Sequence, residues 1–192
     1  MERPKLVRYL VLLLLVLCAP LQAKGDDIST LPPIEAGLTL GFGTGDIKEG
    51  KYDPILFVFR IGGDVKQLWP ALNGHKGRLT LFAEPQLNPV LNLSEYEVGL
   101  GIGLEYMYPL SGKWSIYLMA SIGPHYISVE TEDQARGFAF ADTVGAGFYY
   151  FVYENAAFNI GYRYRHISNC GIKDPNLGIN SNFGTIGYSY FF

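Results

Sequence analysis

The chain has 192 residues, enough for one domain, and a formal charge of −3. A balance this close to neutral, on the acidic side, gives no reason to expect a nucleic-acid partner. Of its two cysteines, Cys18 lies in the N-terminal leader, which leaves Cys170 without a partner for an internal disulfide or a cysteine-based metal cluster.

The leader comes first. Arg3, Lys5 and Arg8 form a basic start, 9–17 is a short apolar run, and Leu21, Gln22 and Ala23 offer a small residue at a cleavage point. Residues 1–23 therefore read as a secretory signal peptide, too short and wrongly flanked for a spanning helix. A lipoprotein signal ending at Cys18 fits less well, because Leu17 stands where a small residue is expected. Removing 1–23 takes away three basic groups against Glu2, so −3 becomes −5 for residues 24–192. No later apolar run approaches the roughly 20 residues a membrane helix needs. The remaining chain is rich in Tyr, Phe and Gly, a composition that favours strands in an exported protein.

From there the hydropathy period is two. Eight segments carry it, at about 34–43, 54–66, 77–87, 95–108, 113–127, 137–151, 156–168 and 179–192. In "YEVGLGIGLEYMY" the residues Tyr96, Val98, Leu100, Ile102, Leu104, Tyr106 and Tyr108 share one face. The other face is small or charged. A soluble sandwich strand can alternate, but this length with aromatic ends suits a transmembrane barrel strand, with its apolar outer face and aromatic girdles. The fold expected is all-β: an eight-stranded antiparallel transmembrane β-barrel of the outer membrane, one domain over 24–192.

On this reading Glu35, Arg60, Arg78, Glu84, Glu97, Glu105, Arg163 and Arg165 point into the lumen, where opposite charges can pair. Asp142 breaks the pattern. Alternation puts it outside with Phe138, Phe140, Val144 and Phe148, and a bulge near it would repair this. "YPLSGKW" and "FVYEN" are short connections and "WPALNGHKG" is intermediate. "GTGDIKEGKYD", "NPVLNLS", "VETEDQARG" and "NCGIKDPNLG" are longer or more polar, as outer loops are.

Most other motifs have plain readings. "GFGTGD" and "GLGIG" lack the G-x-G-x-x-G spacing and open no helix, so their glycines fit a tightly curved barrel better than a phosphate loop. The sequon at Asn92 has no supporting feature. His75 falls in a turn and His125 at an inward-facing strand end, both structural, and no spacing suggests a zinc or calcium site.

"YRYRHISNCGIKDPN", at 162–176, is different. Phe158, Ile160, Tyr162 and Tyr164 share the outer face of the seventh segment, and the period carries His166 and Ser168 onto it. Two residues apart on a strand, imidazole and hydroxyl can meet, as nucleophilic catalysis requires. Folding the hairpin about residue 173 sets Asn180 opposite His166. Spacing alone also allows an ordinary polar rim, where a barrel leaves the hydrocarbon.

The residues "RYRHISNCGIKDPNLGINS" resemble the C-terminal hairpin of the PagL family of outer-membrane lipid A 3-O-deacylases. The His-x-Ser-Asn of that family stands here as His166, Ile167, Ser168 and Asn169, and its Pro-Asn as Pro175 and Asn176. The resemblance implies a serine esterase that removes the 3-position acyl chain of lipid A, with no cofactor or metal. By the same resemblance Ser168 is the nucleophile and His166 the base, while Asn169, Gly171 and Asn176 form or support the oxyanion site. Asn180 departs from it, since characterised members carry glutamate there; an amide can orient an imidazole but contributes little charge stabilisation. The partners expected are lipid A in the outer leaflet and the outer membrane itself, and a homodimer is compatible with them. The rival reading is a non-catalytic small barrel: an adhesin, a structural protein or a binder of lipopolysaccharide.

Overall fold

A computed structural model describes residues 28–69, 71 and 75–192; the expected signal peptide, 1–23, lies outside them. Among the described residues nine strands form one antiparallel sheet: β1 (Ile34–Ile47), β2 (Gly50–Tyr52), β3 (Ile55–Asp64), β4 (Arg78–Val90), β5 (Glu95–Ser111), β6 (Trp114–Ile127), β7 (Gly137–Tyr153), β8 (Ala156–Ser168) and β9 (Ile179–Phe191). Each pairs with its neighbour, except that β1 pairs across β2 with β3, and β1 also pairs with β9, so the sheet closes on itself. The three-residue β2 pairs only with β1 and extends that hairpin beyond the wall. Eight strands therefore make the barrel, and closure leaves no edge strand in its wall.

The two faces of the wall follow the alternation in the chain. On β5, Tyr96, Val98, Leu100, Ile102, Leu104, Tyr106 and Tyr108 are exposed, whereas Glu97, Glu105 and Met107 are buried. The outer surface is largely apolar on the other strands of the wall too, for instance at Leu38, Phe57, Leu118, Ile160 and Ile186. An apolar surface that wraps a whole sheet is a surface for hydrocarbon, not water. The strands supply the crossing; among the described residues no helix is long and apolar enough to do so.

Charges fill the lumen and pair there. Arg60 bridges Glu84 and Glu105, with Nε 2.8 Å from Glu84 Oε1 and Nη1 2.6 Å from Glu105 Oε2. Arg163 forks onto Glu84 at 2.8 and 3.0 Å. Arg165 forks onto Glu97 at 2.7 and 2.8 Å, and Asn88, His125 and Tyr52 also bond that carboxylate. Fork-on-carboxylate geometry suits a dry interior, because two parallel hydrogen bonds offset part of the cost of desolvating the charges.

Three expectations need correction. The segment 91–94 is a tight turn, because β4 runs through Pro89 and Val90, which pair with Tyr96 and Glu95. The polar stretch after residue 43 is mostly strand, in the β1–β2 hairpin. And β7 has no bulge at Asp142: its register is continuous against β6, and its shift against β8 lies between Phe151 and Tyr153. Asp142 is exposed on the apolar face, where strict alternation puts it.

The loops at the β8–β9 end tie to one another. Ala135 N donates to Pro175 O at 2.8 Å and Leu177 N to Asp133 O at 2.7 Å, which joins the β6–β7 loop to the β8–β9 loop. Lys48 N donates to Asp133 Oδ2 at 2.8 Å, bringing in the β1–β2 turn.

Candidate active site

The β8–β9 hairpin is paired with Ala156 opposite Tyr190 and, at its far end, His166 opposite Asn180 and Ile167 opposite Ile179. Each row of outward side chains can be read across three strands. Phe148, Ile160 and Ile186 form an apolar row; nearer the loops come Val144, Tyr164 and Asn182, then Asp142, His166 and Asn180, then Phe140 and Ser168. The outer face thus changes from hydrocarbon-like to polar over two rows, within the belt marked by Tyr96, Tyr126, Phe138 and Phe140. His166 and Ser168 are both half-buried on this outer face.

The His166 ring is held from one side. Its Nδ1 lies 2.7 Å from Asn180 Oδ1, and Tyr164 Oη donates to the same oxygen at 2.8 Å. An amide oxygen only accepts, so the ring proton sits on Nδ1 and Nε2 carries the lone pair. Among the described residues neither His166 Nε2 nor Ser168 Oγ has a hydrogen-bond partner. One row below, Tyr162 Oη donates to Asn182 Oδ1.

The turn after β8 is built around Asn169, which is buried. Asn169 N donates to Asn176 Oδ1 at 2.8 Å, Asn169 Nδ2 to Lys173 O at 2.6 Å, and Gly171 N to Asn169 Oδ1 at 3.0 Å. Cys170 and Gly171 both take positive φ, 55° and 79°, which turns the chain tightly there. The exposed Cys170 thiol is not among these contacts. The expected residues Asn169, Gly171 and Asn176 therefore form one hydrogen-bonded unit beside Ser168. Within it the N–H groups of Asn169 and Gly171 are already bonded, while Asn176 Nδ2 is without a partner among the described residues.

Two residues at this site escaped the sequence reading. Gly178 has φ +82°, and a Cβ there would overlap His166 Cε1 and lie 3.0 Å from Nε2; the backbone passes against the ring, which only glycine permits. Tyr164, read as a membrane-facing aromatic, also anchors Asn180. The signal for Gly178 was present in "NLGIN", a glycine just before a strand, but its partner is visible only once the hairpin is folded.

The fold and this rim define a class: small outer-membrane-type barrels with a polar rim on the outer wall. The comparisons narrow it. Residues 58–189 match the family model described as "Lipid A 3-O-deacylase (PagL)", and the chain belongs to that family. It is 28% identical over 178 residues to the lipid A deacylase PagL of Bordetella bronchiseptica, covering 88% of each chain. Among solved structures it resembles the outer membrane enzyme PagL, with a TM-score of 0.56 and 21% identity over 79% of this chain and 98% of that one. It resembles Neisserial surface protein A equally in fold, with a TM-score of 0.58 and 15% identity over 83% of this chain and 97% of that one.

Proposed function

We propose that the protein is an outer-membrane esterase that removes the ester-linked acyl chain at the 3-position of lipid A, using Ser168 and His166 on the barrel exterior. The observation that carries this reading is the hydrogen bond from His166 Nδ1 to Asn180 Oδ1, which leaves Nε2 as a free base on the same face as Ser168. Family membership supports the substrate. So does the depth of the site: an ester near the headgroups of an outer-leaflet lipid meets a nucleophile that projects sideways from the wall.

Ser168 Oγ attacks the ester carbonyl carbon as His166 Nε2 takes its proton. The tetrahedral intermediate collapses, the sugar oxygen leaves with the proton from His166, and the acyl chain stays on Ser168. Water then attacks the acyl-serine, gives a proton to His166, and releases the fatty acid as Oγ is reprotonated. Asn176 Nδ2 is the free donor for the oxyanion, a role worth about 3–4 kcal/mol in comparable sites. Asn169 and Gly171 hold the turn that presents it.

The rival reading is a non-catalytic barrel, which the equal likeness in fold to a surface protein keeps in view. Mass spectrometry of lipid A from cells expressing the chain decides between them. Loss of one ester-linked acyl chain, abolished by Ser168→Ala in a barrel that still folds, is the result expected. Unchanged lipid A, or a fully active Ser168→Ala protein, overturns the proposal.

A further inference from the structure

We propose that Asp142 is the counter-charge of His166, a positioning residue that supplies from β7 the negative charge that Asn180 on β9 lacks. The inference rests on the reading of His166 as base and Ser168 as nucleophile.

Asp142 stands directly opposite His166 in the β7–β8 ladder, as Asn180 does in the β8–β9 ladder. His166 is thus the middle of a three-strand row, with a carboxylate on one side and an amide on the other. Side chains directly opposite on antiparallel strands have Cβ atoms about 5 Å apart. The register of β7 is unbroken around Asp142, so no bulge turns the carboxylate inward.

The surroundings make this placement expensive. Along β7 the outward neighbours of Asp142 are Phe140 and Val144, and across β6 it faces Ile122. Among the described residues it makes no hydrogen bond or ion pair. An ionisable group on the lipid face of a barrel costs free energy, and such groups mark function when they persist. The outward positions beside it on β7 and β6 are apolar or aromatic, and the lumen carboxylates Glu84, Glu97 and Glu105 are paired.

The groups facing the imidazole show what is missing without Asp142. Asn180 accepts from Nδ1 but is neutral. Tyr164 is bonded to Asn180 and is neutral. Gly178 has no side chain, and Ser168 gives up the proton. When His166 becomes imidazolium, the carboxylate in its row is Asp142. Beside hydrocarbon, an interaction between charges on directly opposite residues is screened far less than in bulk water. Asp142 does not need to touch the ring, whose Nδ1 is taken by Asn180 and whose Nε2 lies against Gly178; it stabilises the cation from across the strand.

The test reads activation of Ser168 without lipid A. A fluorophosphonate is attacked at phosphorus by Ser168 Oγ, fluoride leaves, and the serine proton passes to His166. The labelling rate of the folded barrel in detergent micelles is compared among the parent, Asp142→Asn, Asp142→Glu and Asp142→Asn combined with Asn180→Glu. Ser168→Ala serves as the blank. Asp142→Asn should label about tenfold more slowly, the loss expected from removing one charge near the imidazolium. Asp142→Glu should stay within a few-fold of the parent. Moving the carboxylate across the row, in the double variant, should restore the rate, which a merely structural role for Asp142 would not allow. Removing a charge from the lipid face does not threaten folding, and heat-modifiable gel mobility verifies it.

Labelling of Asp142→Asn at the parental rate overturns the inference, as does a slow double variant. A parent that leaves Ser168 unlabelled overturns it too, because no activated serine exists for the carboxylate to serve. Lipid A spectra taken in parallel separate the two proposals: labelled Ser168 with intact lipid A removes the substrate assignment, while the role of Asp142 still stands or falls on the labelling rates.

Discussion

Asn180 Oδ1 lies 2.7 Å from His166 Nδ1 and also accepts from Tyr164 Oη at 2.8 Å. One amide oxygen thus fixes both the tautomer and the tilt of the proposed base. Hydrogen bonds to a group that becomes charged contribute roughly 1.5–3 kcal/mol, about tenfold to a hundredfold in rate. Asn180→Ala should therefore slow deacylation by about that factor while the barrel folds normally. Asn180→Glu should raise the rate, but only a few-fold with Asp142 in place, because the row already contains a carboxylate. Rates of acyl-chain release, at equal amounts of heat-modifiable protein, check both. An Asn180→Ala protein as active as the parent would make Asn180 an ordinary rim residue.

Gly178 should tolerate no side chain in an active protein. Its φ of +82° disfavours any L residue, and a Cβ would collide with the His166 ring. Gly178→Val should move the imidazole away from Ser168, and misplacements of about 1 Å can cost about a hundredfold in rate. The barrel should survive, because Gly178 lies in the loop between β8 and β9, outside the ladder. Deacylation measured beside folding separates the two effects. A folded Gly178→Val protein with parental activity would show that the ring position is not limiting.

The alternation of "RYRHIS" was enough to put His166 and Ser168 on the outer face, and the midpoint of the hairpin was enough to pair His166 with Asn180. Both are local: they need only the period of a strand and the length of one loop. The eight strands and their lumen charges were legible for the same reason. Asp142 was visible as an anomaly but not as a neighbour of His166, and a bulge was expected in its place. Its position depends on the register between β7 and β8, which the two-residue turn at their other end and a shift at Phe151 and Tyr153 decide together. The contacts of Gly178 and the ties from Asp133 and Ala135 to the site loop are fixed by tertiary approach, on which period and composition carry no information. The engagement of the Asn169 and Gly171 N–H groups by side-chain oxygens was likewise invisible, because it needs the three-dimensional path of the turn.

The lumen should govern stability without touching the site. Glu84 accepts hydrogen bonds from Arg60 at 2.8 Å and from Arg163 at 2.8 and 3.0 Å, and all three side chains are nearly inaccessible to solvent. Glu84→Gln removes the charge between two guanidinium groups. Arg60 keeps Glu105, but Arg163 retains no carboxylate partner among its hydrogen bonds. Breaking one partner of a buried ion pair typically costs about 3–5 kcal/mol, because the remaining charge is left uncompensated. The exposed pair of Lys51 and Asp46, whose side chains are 62% and 83% accessible, is the internal control; Lys51→Gln should change stability by no more than about 1 kcal/mol. Urea unfolding in lipid vesicles, followed by gel mobility, should show an earlier midpoint for Glu84→Gln and an unshifted one for Lys51→Gln. Deacylation per folded molecule should match the parent in both, since Glu84 faces the lumen and His166 and Ser168 the outside. A midpoint that does not move in Glu84→Gln would mean that water reaches the lumen and screens Arg163. A loss of activity in protein that remains folded would mean that the lumen network positions the outer rim through the wall.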